Sequence, residues 1–322
     1  LRPHFKTHKS PFIAHKQLQA GAIGITCAKL DEAQVLVESG IKNILIANQI
    51  VGEKKIKRLL GLASVSDIKV AVDDEKNAEN LSRAAVDSNV FLKVIIETDV
   101  GMGRCGTRSP QQSRRLAQKI TSLPGLNFKG IMGYEGHCVM TRPYSQREEE
   151  AQAANQKLLE SVQALEEVGI EVEIVSAGGT GTYNISGKNE AITEIQAGSY
   201  VTMDGKYKEI VPEFNQALFL VTTVISRPQA GTAIIDAGMK AVSKEFGLPQ
   251  LRNRNGLKMT SLSEEHGYLV VEEEKTNLES GEVLELIPTH GCTTFNLYNK
   301  VYGIRNNRPE LSWDLKARGG FH

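Results

Sequence analysis

The first two-thirds of the chain alternates between two kinds of hydrophobic pattern. Short apolar runs, rich in β-branched residues, end in a polar residue or a glycine, and longer stretches with helical spacing separate them. Because the short runs are apolar on both faces, they are typical of strands buried in a parallel sheet. The predicted strands are residues 2–7, 24–29, 43–48, 68–74, 92–99, 128–136, 172–179 and 192–200.

Helical stretches follow these strands, most clearly at residues 53–63, 75–88 and 147–169. The last of them has an acidic first turn and ends at Gly169, as helix ends prefer. Eight strand–helix units predict an α/β fold with a TIM-type (β/α)8 barrel. An open, doubly wound sheet is the competing arrangement.

After about residue 210 the pattern changes to strands separated by turns, with little helix between them. Such a pattern is typical of an antiparallel β domain. We therefore predict a barrel domain at residues 1–210 and a C-terminal β domain at residues 211–322, with the boundary inside residues 208–216. The predicted strands of the second domain include residues 217–228, 231–238, 267–274, 282–290 and 299–306.

Composition narrows the class of protein. The chain has 38 basic and 38 acidic residues, and this balance argues against a nucleic-acid or membrane partner, since both need a concentrated basic surface. The four cysteines are scattered without a CxxC pair, which indicates free thiols in a reducing cytoplasm. The first residue is Leu rather than Met, so we expect that an upstream segment is missing.

Candidate chemistry lies where the predicted strands end, because barrel active sites form at the carboxyl ends of the strands. The first run ends near Lys6, the fifth leads to Arg104, and the sixth ends near Tyr134. The last two runs end in the glycine turns "AGGTGT" at 177–182 and "AGSY" at 197–200. Each feature alone could be ordinary loop chemistry, but their convergence on one face predicts a functional site.

The two glycine turns are suited to binding a phosphate, since backbone N–H groups can approach an anion where no Cβ interferes. A phosphate, a strand-end lysine, an arginine and a tyrosine together outline a pyridoxal phosphate site. Strand alternation would place Lys6 on one face with His4 and His8. The alternative, in which Phe5 faces the barrel interior, stays open.

A third glycine motif, "GMGRCG" at 101–106, fits the GxGxxG pattern of dinucleotide-binding proteins. That interpretation requires the motif on the first strand–helix unit, with an acidic residue at the end of the next strand. Here the motif follows the fifth predicted strand, so we discount a dinucleotide site.

The stretch "PTHGCTTFNLY" at 288–298 contains a candidate metal pair. On a predicted strand, His290 and Cys292 point the same way, and imidazole with thiolate is a combination that zinc favours. A purely structural role is the alternative. No third ligand is obvious nearby, so substrate and water would have to complete the coordination.

Together, "RPHFKTHK", "VGMGRCG", "AGGTGTY", "QAGSYVTMD", "DAGMKAVS", "SEEHG" and the terminal HxC resemble the D-threonine aldolase and D-serine dehydratase group. This group belongs to the alanine-racemase-like, fold-type III pyridoxal phosphate enzymes, and the likeness spans essentially the whole chain. It implies a barrel with a C-terminal β domain, a small-molecule D-amino acid substrate and a homodimer. The resemblance makes Lys6 the Schiff-base residue, places Arg104 near the ring's phenolic oxygen and sets Tyr134 against the cofactor. The residues that it assigns to the phosphate are Gly179, Thr180, Gly198 and Ser199.

The metal pair directs the choice within the group. The resemblance implies H-x-D in the aldolases and H-x-C in the dehydratases, and here the pair is His290 and Cys292. The expected activity is therefore a zinc-dependent D-serine dehydratase that yields pyruvate and ammonia, with another divalent metal as a variant. A D-threonine or 3-hydroxy-D-aspartate aldolase is the alternative. An amino-acid racemase or a non-catalytic pyridoxal-phosphate-binding protein ranks third.

Overall fold

The computed structural model describes residues 1–272 and 277–322, which form two compact units. The first, here called the barrel unit, comprises Leu1–Lys6, Ser10–Gly198 and Gly319–His322. The second, here called the β unit, comprises Thr7–Lys9 and Ser199–Arg318. The division after Gly198 lies upstream of the boundary at residue 210 that the hydrophobic pattern predicts.

The barrel unit is built on a parallel sheet in which each strand pairs with the next in sequence. Its seven strands, all within the described residues, are β1 Ile25–Cys27, β2 Asn43–Gln49, β3 Asp67–Val72, β4 Leu92–Glu97, β5 Leu126–Met132, β6 Ile174–Ala177 and β7 Glu194–Ile195.

Residues 2–4 take the place of an eighth strand between β7 and β1. The N–H of Arg2 donates to Ile195 O at 2.9 Å, and the N–H of His4 donates to Ala197 O at 3.1 Å. On the other side, the N–H of Thr26 donates to Pro3 O at 2.9 Å. These bonds join the first strand to the last, so the predicted TIM-type barrel is confirmed.

The predicted strand at residues 2–7 is wrong beyond residue 4. His4 makes a single parallel bridge to Thr26, and Phe5–Thr7 then form a 3₁₀ helix. Pro3 lacks an N–H and shortens the ladder, and Lys9 follows with a φ of 50°. Strand alternation therefore does not decide which way Lys6 points.

The helices of the barrel unit are α1 Pro11–Gln19, α2 Leu30–Glu38, α3 Glu53–Ala63, α4 Glu75–Asp87, α5 Pro110–Ser122, α6 Tyr144–Glu166 and α7 Tyr183–Ser186. Ser10, Asp74 and Ser109 cap α1, α4 and α5 by accepting a backbone N–H with their side chains, as good N-cap residues do. None of the helices that the structure describes is long and apolar enough to cross a membrane.

Apolar side chains from successive strands fill the barrel interior. A buried cluster takes one residue from each of five neighbouring strands, namely Leu45, Ala71, Ile95, Met132 and Ile174. Burial of each large side chain contributes roughly 1.5–3 kcal/mol, so this layer stabilises the barrel beneath the carboxyl ends of its strands.

The strands of the β unit are β8 Leu220–Gln229, β9 Thr232–Ile235, β10 Gln250–Leu251, β11 Leu257–Leu262, β12 Gly267–Val271, β13 Val283–Ile287, β14 Lys300–Arg305 and β15 Arg308–Asp314. They form an antiparallel sheet with the order β10-β13-β8-β9-β12-β11 and a separate hairpin β14-β15. The described part of the unit also contains the short α-helices α8 Gly205–Lys208 and α9 Gly291–Phe295. The predicted C-terminal antiparallel domain is confirmed. The last residues of the predicted strand 267–274, positions 273 and 274, lie outside the described residues.

The predicted strand at 282–290 ends early. β13 stops at Ile287, Pro288 follows, and His290 is the N-cap of α9 rather than a strand residue. Pro288 cannot donate to a sheet ladder, and the N–H of Gly291 donates instead to the Asp204 carboxylate at 3.0 Å. Strand alternation therefore does not set the directions of the His290 and Cys292 side chains.

Candidate active site

Lys6 is set apart from its neighbours by exposure. Every other residue from 2 to 10 is buried, whereas Lys6 is exposed. Its backbone N–H donates to Nδ1 of His4 at 3.3 Å, and its Nζ lies 5.7 Å from the centre of the Tyr134 ring. The short 3₁₀ helix thus turns a single amine away from a buried segment, where a small molecule can reach it.

Tyr134 follows the end of β5 and packs against the turn after β6. A Cβ at Gly179 would lie 2.9 Å from Tyr134 Cε2, which is closer than real contacts of this kind. Glycine at 179 therefore lets the ring lie flush with the turn. The structure brings together Lys6, Tyr134 and Gly179, which come from three separate elements of the barrel unit.

A buried acid, Glu135, supports the "AGGTGT" turn at residues 177–182. Gly178, with a φ of +79°, donates its N–H to Glu135 Oε2 at 3.1 Å. The hydroxyl of Ser186 donates to the other oxygen of Glu135 at 2.6 Å. Because the N–H of Gly179 donates to Thr182 Oγ1 at 3.1 Å, these two N–H groups bind protein atoms. The sequence predicts that consecutive N–H groups of this turn approach an anion. Because the N–H groups of Gly178 and Gly179 already bind protein atoms, only those of the following residues remain for that role.

Those following residues include Thr180, which is buried with 2% exposure. At the end of β7, Gly198 is the last residue of its stretch of the barrel unit, and Ser199 begins a 3₁₀ helix, Ser199–Val201, in the β unit. Both turns therefore lie at carboxyl ends of neighbouring strands, as the pattern predicts for a barrel site.

Arg104 belongs to the loop after β4 and is half-exposed, with Nη2 3.7 Å from Glu97 Oε1. Glu97 is buried and accepts a hydrogen bond from Gln49 Nε2 at 2.6 Å. Burial is the largest influence on Glu97 and raises its pKa, against the opposing effects of Gln49 and Arg104. The glycine motif at 101–106 opens no helix, since α5 begins only at Pro110, and this agrees with discounting a dinucleotide site.

His290 and Cys292 lie together at the start of α9 in the β unit. The Cys292 sulfur lies 3.5 Å from Thr7 Oγ1 and 3.9 Å from Ser199 Oγ. Burial lowers the pKa of His290, but its contacts with Cys292 and Glu245 outweigh burial and raise the pKa to about 9. An imidazole and a thiol thus share one site lined with hydroxyl groups.

This pair fits part of a zinc site, because imidazole nitrogen and thiolate sulfur are preferred zinc ligands. Among residues 1–272 and 277–322, no group of three or more His, Cys, Asp or Glu side chains is arranged to hold a metal ion. His290 and Cys292 could supply two ligands of a metal ion, and water and substrate would have to fill the other positions.

The barrel residues fit pyridoxal phosphate, and this fit does not depend on the metal pair. An accessible amine lies beside an aromatic ring, and a glycine turn is packed so closely on that ring that a Cβ would displace it. An aldehyde-bearing aromatic cofactor needs an amine, a flat surface and an anion-binding turn.

Three side chains that support these groups were not predicted from the sequence. Glu135 follows Tyr134 directly, and an acid immediately after a strand-end aromatic residue was the available signal. Asp204 holds the start of α9 through Gly291, and burial raises its pKa against the effect of its backbone hydrogen bonds. Glu245 contacts His290 from a position far away in sequence, which no local pattern reveals.

Comparisons with known families and proteins bear on the whole chain. Residues 1–205 match the family model of the alanine racemase N-terminal domain, and residues 217–304 match a serine dehydratase domain. A D-threonine aldolase from Arthrobacter sp is 38% identical over 99% of this chain and 85% of its own length. A 3-hydroxy-D-aspartate aldolase from Paracoccus denitrificans (strain Pd 1222) is 35% identical over 99% and 84%.

A D-threonine aldolase structure from Filomicrobium marinum matches with a TM-score of 0.96 at 34% identity, covering 99% of this chain and 88% of its own. The D-threo-3-hydroxyaspartate dehydratase from Delftia sp. (strain HT23) is 28% identical over 98% and 89%. A cysteine-to-alanine mutant of a D-threo-3-hydroxyaspartate dehydratase has been solved in the metal-free form, with a TM-score of 0.89 at 26% identity over 97% and 89%.

Proposed function

The chain belongs to the D-threonine aldolase and 3-hydroxy-D-aspartate aldolase family of alanine-racemase-like, pyridoxal-phosphate-dependent lyases, and on that premise we propose that it is an aldolase. In this proposal it splits a β-hydroxy-D-amino acid between Cα and Cβ into glycine and an aldehyde. The supporting observation is the ranking of relatives, with aldolases at 38% and 35% identity and a dehydratase at 28%. The preference for a D-serine dehydratase, drawn from Cys292, becomes the second candidate.

Each barrel residue has a proposed task toward the cofactor. Lys6 holds it covalently through its amine, Tyr134 lies against it, and Arg104 donates to its phenolic oxygen. We assign its phosphate to Thr180, Gly198 and Ser199, and to Gly179 through the close packing of its turn against Tyr134 rather than through its N–H, which donates to Thr182. When bound, pyridoxal phosphate supplies an electron sink for the negative charge that develops at Cα. After cleavage, Lys6 Nζ is the group that we assign to return a proton to Cα.

His290 and Cys292 have a separate proposed task, which is to hold a divalent metal, zinc before others. Bound there, the ion would withdraw electron density from the β-hydroxyl oxygen of the substrate. We also propose a homodimer, from the family resemblance, and a cytoplasmic location, because Cys27, Cys105, Cys138 and Cys292, all within the described residues, form no disulfide.

A dehydratase remains the second candidate because of Cys292. The resemblance associates H-x-C with dehydratases, and the same metal would then stabilise hydroxide as it leaves Cβ. Aldolase and dehydratase differ in which bond to Cβ breaks, so their products are different.

Product analysis separates the two candidates. The purified holoenzyme is given D-threonine, 3-hydroxy-D-aspartate and D-serine in turn, with L-threonine as the control substrate. An aldolase yields glycine with acetaldehyde from D-threonine, and glycine with glyoxylate from 3-hydroxy-D-aspartate. Ammonia and a 2-keto acid as the main products would overturn the aldolase proposal in favour of the dehydratase. Accumulation of the L-isomer alone would overturn both in favour of a racemase.

Chelation tests the metal assignment in the same assay. Removing the metal should stop turnover and leave the absorbance of the bound cofactor unchanged, since Lys6 does not need the ion. Full activity in a protein shown to contain no metal would contradict the metal proposal.

A further inference from the structure

A loop of the β unit, residues 243–247, is tied to the segment that carries His290. The N–H of Ser243 donates to Thr294 Oγ1 at 3.3 Å, and the hydroxyl of Thr289 donates to Gly247 O at 2.7 Å. Thr294 in turn donates to the backbone oxygen of His290 at 2.9 Å. The two ends of the loop are thus hydrogen-bonded to residues that flank His290 in the sequence.

The middle of the loop contacts the imidazole ring itself. Glu245 Oε2 lies 2.7 Å from His290 Nδ1, at hydrogen-bond distance. The Phe246 ring stacks on the imidazole with centroids 4.2 Å apart and planes 14° from parallel. The carboxylate fixes rotation of the ring in its plane, and the stacked ring fixes its tilt.

This arrangement decides which nitrogen is available for a metal. An imidazole that binds a metal is neutral, and with Nδ1 donating its proton to the Glu245 carboxylate its lone pair lies on Nε2. Since Glu245 occupies Nδ1, Nε2 is the ring nitrogen left for a metal that the neighbouring Cys292 would share. Metal-binding histidines usually donate their second N–H to a carboxylate or carbonyl, which orients the ring and strengthens the ligand.

We propose that Glu245 is a positioning residue for the metal pair, which sets the tautomer and orientation of His290 so that its Nε2 and the Cys292 sulfur face one ion. Phe246 assists by stacking on the ring. The inference rests on the proposed function, in which His290 and Cys292 hold the metal, and it adds the residue that prepares His290 to do so.

A simple surface ion pair is the competing explanation, because Glu245 is half-exposed. Such pairs contribute little to stability and would leave metal affinity unchanged. The chain offers a matched control in Glu265, whose Oε1 lies 2.7 Å from Lys240 Nζ in the same unit. Both acids are about equally exposed, at 51% and 61%, and only one contacts His290.

The test measures zinc binding directly. Cofactor-loaded, metal-stripped wild-type protein and the variants Glu245→Ala, Glu245→Gln and Glu265→Ala are titrated with zinc by calorimetry. Glu245→Ala should raise the zinc Kd by about 10- to 100-fold, the range seen when such a partner is lost. Glu245→Gln keeps an acceptor without the charge and should recover part of that loss, whereas Glu265→Ala should match wild type. Cofactor absorbance should be the same in all four proteins.

The test distinguishes failure of the positioning role of Glu245 from failure of the proposed metal pair. If Glu245→Ala binds zinc as tightly as wild type, the positioning role is overturned while the metal proposal stands. If wild type binds no zinc, or His290→Ala binds it equally well, the proposed metal pair itself fails and the inference falls with it. If Glu245→Ala does not fold, Glu245→Gln decides, and a zinc Kd equal to that of wild type together with an unchanged melting temperature would overturn the role.

Discussion

The two ends of the barrel sheet both carry charged side chains, but they use them in opposite ways. At the amino end, Arg2 Nε lies 2.8 Å from Glu194 Oε2, with both side chains 3% exposed. Arg2 also donates to Asn43 at 2.7 Å, and Lys69 donates to the same oxygen at 3.1 Å. At the carboxyl end, Lys6 of the same short segment is exposed beside an aromatic ring.

The difference indicates where stability and chemistry reside. A buried ion pair is expensive to break, because the remaining charge stays buried without compensation. The Arg2–Glu194 pair therefore fixes the segment between β7 and β1. At the other end, the exposed amine of Lys6 is the group to which we assign the chemistry. This division matches barrel enzymes generally, in which the carboxyl end is catalytic and the amino end stabilises the fold.

The largest expected effect is at the carboxyl end, with Lys6→Ala. Removal of the amine should abolish the cofactor absorbance and lower activity on the order of 10³-fold or more, while the melting temperature changes little. Absorbance spectra, turnover and thermal unfolding are measured together. The matched control is Lys9→Asn, because Asn tolerates the φ of 50° at that position. Loss of the absorbance in Lys9→Asn instead would reverse the assignment of the lysine.

The next effect is at the amino end, with Arg2→Met. The change leaves Glu194 buried without its partner and should lower the free energy of unfolding by about 3–5 kcal/mol. Activity per folded molecule should stay close to that of wild type. The double variant Arg2→Met/Glu194→Met should regain much of the loss, since apolar pairs often replace buried ion pairs without cost. Loss of cofactor absorbance in a well-folded Arg2→Met protein would break the comparison between the two ends.

A smaller effect is expected at the carboxyl end from a change at Arg104. It distinguishes a residue that adjusts the activity of the bound cofactor from one that is required to bind it. Arg104→Lys keeps a positive charge but loses the planar donor set, and one charge-assisted hydrogen bond is worth about 1.5–3 kcal/mol. Turnover should fall on the order of 10-fold with the cofactor still bound, as measured by steady-state kinetics and absorbance. The control is Arg83→Lys on α4. Complete loss of bound cofactor would mean that Arg104 is required for cofactor binding.

Much of this division could be predicted from the sequence. Buried apolar strands separated by helical stretches predicted the barrel, and α3 occupies the predicted residues 53–63. The rule that barrel chemistry lies at strand ends selected Lys6 and Tyr134, which the fold places 5.7 Å apart from nitrogen to ring centre. The rule depends on topology, which the hydrophobic pattern encodes, and for that reason it could select residues that the fold brings together.

The rest depended on contacts that local patterns do not encode. Alternation failed at Lys6 because a 3₁₀ helix, Phe5–Thr7, follows the bridge at His4, and it failed at His290 because β13 stops at Ile287 before Pro288. The partners that orient the functional groups, such as Glu135 and Glu245, become visible only once the chain is folded. Motifs identify reactive groups, and tertiary packing determines what holds them.

The smallest expected effect is a pH-dependent one at the amino end, with Asp67→Asn. Burial alone would raise the pKa of Asp67, but hydrogen bonds and charges from Lys93 and Lys69 outweigh it and hold the pKa below its ordinary value of 3.8. A lowered carboxyl pKa means that the stabilisation is present above pH 3.8 and is lost as the pH falls through the folded-state pKa. Asp67 is about one-third exposed, so solvent limits the contribution to about 1 kcal/mol.

Urea unfolding of Asp67→Asn and wild type at several pH values tests this sign. The difference in unfolding free energy should be constant between about pH 5 and 7 and should shrink below about pH 4, as wild-type Asp67 takes up its proton. Glu166→Gln, an exposed change on α6, serves as the control. A difference that persists undiminished in acid would show that Asp67 acts through packing rather than charge. A loss of turnover larger than the loss of stability would extend the chemistry to the amino end, and the contrast between the two ends would fail.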